Sequence, residues 1–316
     1  MTAAERVLWQ RVQRRAAQFE PELARAILAA FAVIRERLTE AELEQAIALG
    51  GVERLVGQVM EQAARDVVYR PIRERMRANL AQGVKYFARD LPRAGRIDGV
   101  LSVGFDVLNP RMIDAVRALE TRVITNMREG IRDTVRAHVE NALRDGASAR
   151  TAARQLRDVI GLAPNQEEAV RNFRRALAGA DGARNPLDYK LRDRRFDGSI
   201  AKGNLTPAQI DAQVEAYRRR MLAFNATTNA KTVAMDTQRL AQRLSWEDAI
   251  AKGIVEEGDL QKTWRGTMDD RERAEHVAME RETVGFSQPF SNGQMIPGDS
   301  DYNCRCLAIY GLAPRR

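Results

Sequence analysis

Over most of its length the chain repeats apolar residues with the period of an α-helix. In residues 3–48, Trp9, Val12, Ala16 and Phe19 recur on one face, and Leu23, Ile27, Ala30, Phe31, Ile34 and Leu38 on another. Pro21 suits the first turn of a second helix, and Thr39-Glu40-Ala41-Glu42 offers a cap for a third, which Gly50-Gly51 ends. From Val52 a new helix turns Leu55, Val56, Val59, Met60, Ala63 and Val67 inward until Pro71 interrupts or kinks it. The pattern resumes through Met76, Leu80, Val84 and Phe87. It breaks across residues 91–109, where the apolar run Gly99–Asp106 reads as a strand or as a loop packed on the core. Asn109-Pro110 then supplies a cap followed by proline at the first helical position. Ile113, Val116, Val123, Ile124, Met127, Ile131, Val135, Val139 and Leu143 predict a helix of about thirty residues, about 45 Å long at the α-helical rise. His138 lies beside this stripe and fits a surface or helix-packing histidine.

Ser148–Ile160 reads as the next helix, and another opens at Asn165 with Glu167 and Glu168 in its first turn. Gly179, Gly182 and Pro186 mark a loop, and Lys190–Arg195 is a short basic run. Thr206-Pro207 starts a helix through Ile210, Val214, Tyr217 and Leu222, with a separate one from about Thr228 to Ile250. The period then changes. Lys262–Arg265 reads as a short strand, and Thr267–Asp270 as a capping box for a brief helix that sets Asp269, Arg273 and His276 on one face. Ser291–Gln294 and Pro297–Asp299 are turn signals, and Cys304–Tyr310 reads as a closing strand. The expected fold is mainly α, an elongated helical body with a small C-terminal α/β subdomain. Three consecutive regions are expected: an N-terminal helical region (1–108), a central helical region with a basic segment (109–225) and a C-terminal subdomain (226–316).

Composition agrees with helices packed through aliphatic side chains: 44% of the 316 residues are hydrophobic but only 6% are aromatic. No apolar run approaches the roughly 18 residues of a membrane span, and Met1–Arg6 lacks the apolar core of a signal peptide, so a cytoplasm-like compartment is expected. Two cysteines one residue apart make no disulfide framework. The net charge of +8 is concentrated: residues 171–220 hold twelve Lys/Arg against six Asp/Glu, a net +6. Arg192, Arg194, Arg195, Arg218, Arg219 and Arg220 are therefore candidates for contact with phosphates or an acidic protein surface. The triple Arg218–Arg220 is partly accounted for by compensation of a helix dipole alone.

The region from Trp264 to Cys306 carries most of the identifying information. Trp264, the series Asp269-x-Arg271-x-Arg273-x-x-His276, Phe290, Pro297-Gly298 and the tetrapeptide Asn303-Cys304-Arg305-Cys306 together resemble the phage Mu F-like minor head proteins, also called head morphogenesis proteins. The segment from Gly161 to Leu222 is similar in style to what precedes the motif in that family. Ala223–Ala226 departs from the Ala-Arg-Thr-Glu-like segment common there, and Met279-Glu280-Arg281 stands where a glycine usually follows the histidine. The resemblance implies a non-enzymatic component of the virion head, at or near the portal vertex, present in the host cytoplasm during assembly. It implies the portal protein as partner, with the scaffold, the major capsid protein, non-specific DNA and further copies of the chain as others.

The motif also holds the candidate chemistry. In an extended strand, residues i and i+2 share a face, so Cys304 and Cys306 would point alike, and His276 folded over them would complete three ligands of a tetrahedral zinc site. A plainer account makes both cysteines buried apolar residues and His276 a hydrogen-bonded structural histidine. With three good ligands in view and a spacing that is no standard zinc signature, the plainer account is preferred, and no cofactor is expected. A Cys-His nucleophile is conceivable, but no glycine-rich phosphate loop, serine elbow or His-Glu-x-x-His helix accompanies it.

Overall fold

The computed structural model describes residues 2–65, 67–90 and 110–313. The fold is mainly α with a small C-terminal α/β part. Its helices are α1 (Ala3–Glu36), α2 (Glu40–Ala48), α3 (Val52–Arg65), α4 (Arg70–Phe87), α5 (Pro110–Arg144), α6 (Ala149–Val159), α7 (Pro164–Leu177), α8 (Asp197–Lys202), α9 (Pro207–Ala251) and α10 (Ala274–Ala278). The strands are β1 (Leu260–Arg265), β2 (Thr283–Gly285) and β3 (Leu307–Leu312). No helix among the described residues is long and apolar enough to cross a membrane. The expected strand or loop at Gly99–Asp106 lies outside the described residues.

By compactness the chain divides into two units. One unit is made of Met1–Leu23, Ile72–Thr121 and Thr228–Arg316, the other of Ala24–Pro71 and Arg122–Thr227.

Two helix boundaries differ from those expected. Pro21 lies inside α1 instead of opening a second helix. A proline in a helix interior costs about 3 kcal/mol, but Leu23, Ile27 and Ile34 beyond it are fully buried, each worth roughly 1.5–3 kcal/mol, so the helix runs on. The two helices expected across Leu222–Thr228 are one, α9. No glycine or proline interrupts Ala223–Thr228, and Asn225 donates its side-chain amide to Gly161 O at 2.6 Å instead of capping a helix end. Arg218–Arg220 thus lie within a 45-residue helix, far from its C-terminus, and dipole compensation does not account for them.

In the unit containing Ala24–Pro71 and Arg122–Thr227, α2 packs on α6. Thr39 forms the expected capping box on α2: its Oγ1 accepts from Glu42 N at 3.2 Å and its N–H donates to Glu42 Oε2 at 3.1 Å. Gly161, at φ 92°, has Phe31 and Leu222 against it, where a Cβ would lie 2.6 Å from the Phe31 ring. Phe173, Tyr189 and Tyr217 form an aromatic trio with centroids 4.5–5.8 Å apart. Of the two expectations for His138 the helix-packing one holds: it is buried, with Nδ1 3.1 Å from Glu167 Oε1 at the start of α7.

In the other unit α4 and α9 approach closely, since a Cβ on Gly83 would come within 2.6 Å of that of Ala241. Buried Asn79 donates to Ala234 O at 3.3 Å and accepts from the Gln238 side chain. The sheet has the order β2-β1-β3, antiparallel throughout, with Trp264 opposite Ala308 and Lys262 opposite Tyr310. Alternation along β1 buries Leu260, Lys262 and Trp264, of which Leu260 and Trp264 join a core with Phe286, Phe290, Cys304, Cys306, Ala308 and Tyr310. The sheet therefore fixes Trp264 and, just ahead of β3, the two cysteines.

Candidate functional site

His276 sits in α10, a single turn that follows β1 by nine residues. The expected capping box is absent. Helix begins only at Ala274, because the amides of Thr267 and Met268 donate to the Glu272 carboxylate and hold the chain in a turn, with Met268 at φ 55°. Asp269 and Arg273 consequently do not share a helix face with His276. Beyond α10, Arg281 adopts φ 72°, the left-handed conformation that glycine takes most easily, so this chain makes its turn without one.

Cys304 and Cys306 precede β3 and do not lie within it, yet both sulfurs still face the same imidazole. Nδ1 of His276 lies 3.8 Å from Cys304 Sγ and 3.5 Å from Cys306 Sγ, and all three residues are buried. Nε2 of His276 is 3.1 Å from Asp301 Oδ2, which also accepts from Gln294 Nε2 at 2.5 Å. A carboxylate can only accept, so Nε2 carries the hydrogen and Nδ1 presents its lone pair to the sulfurs. Cys306 further donates to Glu272 Oε1 at 3.2 Å. The hydrogen bond from the Cys306 thiol lowers the pKa of Cys304 against the effect of burial, with the Arg239 charge adding to the fall. Cys306, which keeps the shared proton beside Glu272, is raised.

The remaining motif residues surround this cluster. The Trp264 ring meets His276 edge-on at 5.3 Å and Phe290 at 5.2 Å. Arg305 pairs with Asp269 through two hydrogen bonds of 2.6 Å, which hold the Asp269 carboxyl well below the usual carboxylate range. Arg273 donates to Tyr302 O at 2.7 Å, and Arg271 lies 3.5 Å from Asp269. Asn303, at φ 56°, donates its amide to Thr232 Oγ1 on α9. Trp264, Asp269, Arg271, Arg273, His276 and Asn303–Cys306 therefore belong to one connected structure.

Sequence reasoning missed several contributors. Buried Arg239 on α9 donates to Cys304 O at 2.7 Å and to Cys306 O at 2.8 and 3.0 Å, and pairs with Asp236 at 2.8 Å. Arg239 is one of three charged residues in the mixed stretch Val233–Leu244, and nothing local sets it apart. On α1, Trp9 Nε1 and Gln13 Nε2 donate to Arg305 O at 3.0 and 3.4 Å, while Glu5 pairs with Arg265 at 2.8 Å. Nothing in the sequence pointed to these. Lys262, buried in β1, donates to Met295 O at 2.8 Å and lies 5.0 Å from the centre of the Phe290 ring. Burial and nearby Arg243 bring its pKa down to about 8, against a small opposing effect of Asp299. Beside the cluster is a cavity of about 650 Å³ whose lining includes Arg14, Lys231, Arg271, Arg273, Arg305 and Cys304.

The six arginines proposed for phosphate contact lie in the other unit. Arg192 forms a two-bonded pair with Asp197 at 2.8 and 2.9 Å. Buried Asp193 holds Arg195 at 2.7 Å and Arg220 at 3.2 Å, and the Arg195 hydrogen bonds bring its pKa down to about 2. Arg218 pairs with Asp158 at 2.9 Å and Glu215 at 2.5 Å, and Arg219 with Glu215 at 3.5 Å. Arg194, Arg195, Arg219 and Arg220 are exposed, whereas Arg192 and Arg218 are largely covered.

Fold and site together define a mainly helical protein with a buried polar cluster at a small C-terminal sheet. No protein-family model, curated protein or solved structure matches the chain.

Proposed function

We propose that this protein is a minor head protein of a tailed phage or prophage, a structural component at or near the portal vertex that assists capsid assembly, DNA packaging or ejection. The observation that carries this reading is the convergence of Trp264, Asp269, Arg271, Arg273, His276 and Asn303–Cys306. Scattered over 43 positions from Trp264 to Cys306, they form one clasp whose polar side chains are committed mainly to one another and to backbone atoms. Such an arrangement suits a rigid docking element, and catalysis is not part of the proposal. The portal protein is the expected partner, with the scaffold, the major capsid protein and further copies of the chain as others.

Exposed Arg194, Arg195, Arg219 and Arg220 support non-specific contact with packaged DNA. The exposed Arg219–Glu215 pair contributes only about 0–1 kcal/mol, so a phosphate can replace that carboxylate, while Arg195 and Arg220 keep buried Asp193 as partner and reach a phosphate with their remaining N–H groups. The same residues support a second reading, a stand-alone nucleic-acid-binding protein outside any capsid. Co-expression with portal, scaffold and major capsid protein, followed by sedimentation, separates the two. A head protein travels with portal-containing procapsids. A chain that stays at the top of the gradient while binding DNA overturns the head-protein reading.

A further inference from the structure

The Cys304–Cys306–His276 cluster matches a coordination shell more closely than it matches packing. With zinc–sulfur bonds of about 2.3 Å and zinc–nitrogen bonds of about 2.0–2.1 Å, a tetrahedral ion sets sulfur and nitrogen about 3.6 Å apart. The two sulfur–nitrogen distances of 3.8 and 3.5 Å bracket that value, and the three ligand atoms all lie within 4.8 Å of one another. The imidazole is in the ligand tautomer: Asp301 holds the hydrogen on Nε2, which leaves the Nδ1 lone pair aimed at both sulfurs. Hydrogen bonds use this geometry only in part, since Cys306 Sγ donates to Glu272 Oε1 and leaves Nδ1 to Cys304, whereas a shared cation engages the lone pair and both sulfurs at once. Arg239, by binding the Cys304 and Cys306 carbonyl oxygens, fixes the backbone that carries both sulfurs.

We propose that Cys304 Sγ, Cys306 Sγ and His276 Nδ1 bind a structural zinc ion, with Asp301 orienting the histidine. Binding displaces a proton from each thiol to solvent, and the two thiolates neutralise the charge of the ion. Glu272, with Oε1 3.2 Å from Cys306 Sγ, loses the thiol hydrogen it accepts when Cys306 becomes a thiolate. The ion would join α10 to the segment ahead of β3, residues 28 apart in sequence, in a sheet whose strands are only six, three and six residues long. The plainer account, a structural histidine accepting from one thiol, gives no role to the second sulfur's approach to the same nitrogen.

The test is the metal content of the full chain, purified without chelator, incubated with zinc chloride and desalted. About one zinc per folded chain is expected, with a thiolate-to-metal charge-transfer band when cobalt(II) replaces it. Asp301→Asn, which keeps all three ligands, should weaken zinc binding about 10–100-fold in a competition titration with a chromogenic chelator. Fewer than about 0.2 zinc per folded chain after loading, or an affinity unchanged by Asp301→Asn, overturns the proposal. Cys304→Ser should abolish the cobalt band. Because the wild-type measurement needs no variant, a misfolded Cys304→Ser leaves the question decidable. Zinc content and procapsid association are separate readouts, so either proposal can fail alone.

Discussion

Two polar regions of this protein manage charge in opposite ways. Around Trp264–Cys306, ionic and hydrogen-bonding groups are taken out of water and given fixed partners: Lys262 on a carbonyl, Arg239 on two carbonyls and Asp236, and His276 between Asp301 and the thiols. In residues 192–220, charges stay mostly at the surface and carboxylates are shared, Asp193 by two arginines and Glu215 by two others. A buried group without its partner costs several kcal/mol, whereas a surface pair is nearly free to exchange. The first region should therefore determine whether the unit folds, and the second what it touches.

The largest expected effect tests that division directly. Trp264→Ala removes a fully buried ring that meets both His276 and Phe290, and should cost about 3–5 kcal/mol in denaturant unfolding. Its buried Nε1 has no hydrogen-bond partner among the described residues, so Trp264→Phe, which also deletes that group, should cost distinctly less. Equal losses in the two variants would mean that the ring's shape is not what closes the clasp.

An intermediate effect is expected from pH. Lys262 has its folded pKa brought down to about 8, while an unfolded lysine titrates near 10.4. Between these values the unfolded chain holds more protons, so stability rises with pH across that window and is flat below it. Relative to Lys262→Met, which has no such proton, the wild type should gain about 1–3 kcal/mol from pH 8 to 10.5. A difference that does not vary over this range would show that the ammonium costs nothing where it sits.

The smallest effect belongs to the arginines. Arg219→Ala, at a 3.5 Å surface pair, should change stability by less than about 0.5 kcal/mol. The double variant Arg219→Ala, Arg220→Ala should instead weaken binding to duplex DNA and flatten its dependence on salt, measured between about 50 and 200 mM. Loss of stability without any change in DNA affinity would reverse the roles assigned to the two regions.

Much of the helical part was legible because its signals are local. Thr39 with Glu42, Ser148 before α6 and the stripe from Val116 to Val135 each lie within a few turns, and each is found where expected. The continuity of α1 and α9 was not legible, since a proline or a run of polar residues reads as a break unless the burial on either side is known. At the site the three candidate ligands were legible as residue types, and their proximity was anticipated from strand alternation even though the cysteines precede the strand. Arg239, Asp301 and Glu272 were not, because arginines and carboxylates abound in this sequence and only tertiary structure selects these. The strand β2, three residues long, carries too short a pattern to declare itself.

Trp9 and Gln13 of α1 donate to the carbonyl of Arg305, across sequence separations of 296 and 292 residues. During synthesis at roughly 5–20 residues per second, α1 leaves the ribosome about 15–60 seconds before its acceptor exists. The unit that contains it can close only once residues 304–312 have emerged, bringing β3 and the Arg239 acceptors together. Its completion is therefore a late event in the life of the chain, and interrupted products lack the closed form of this unit.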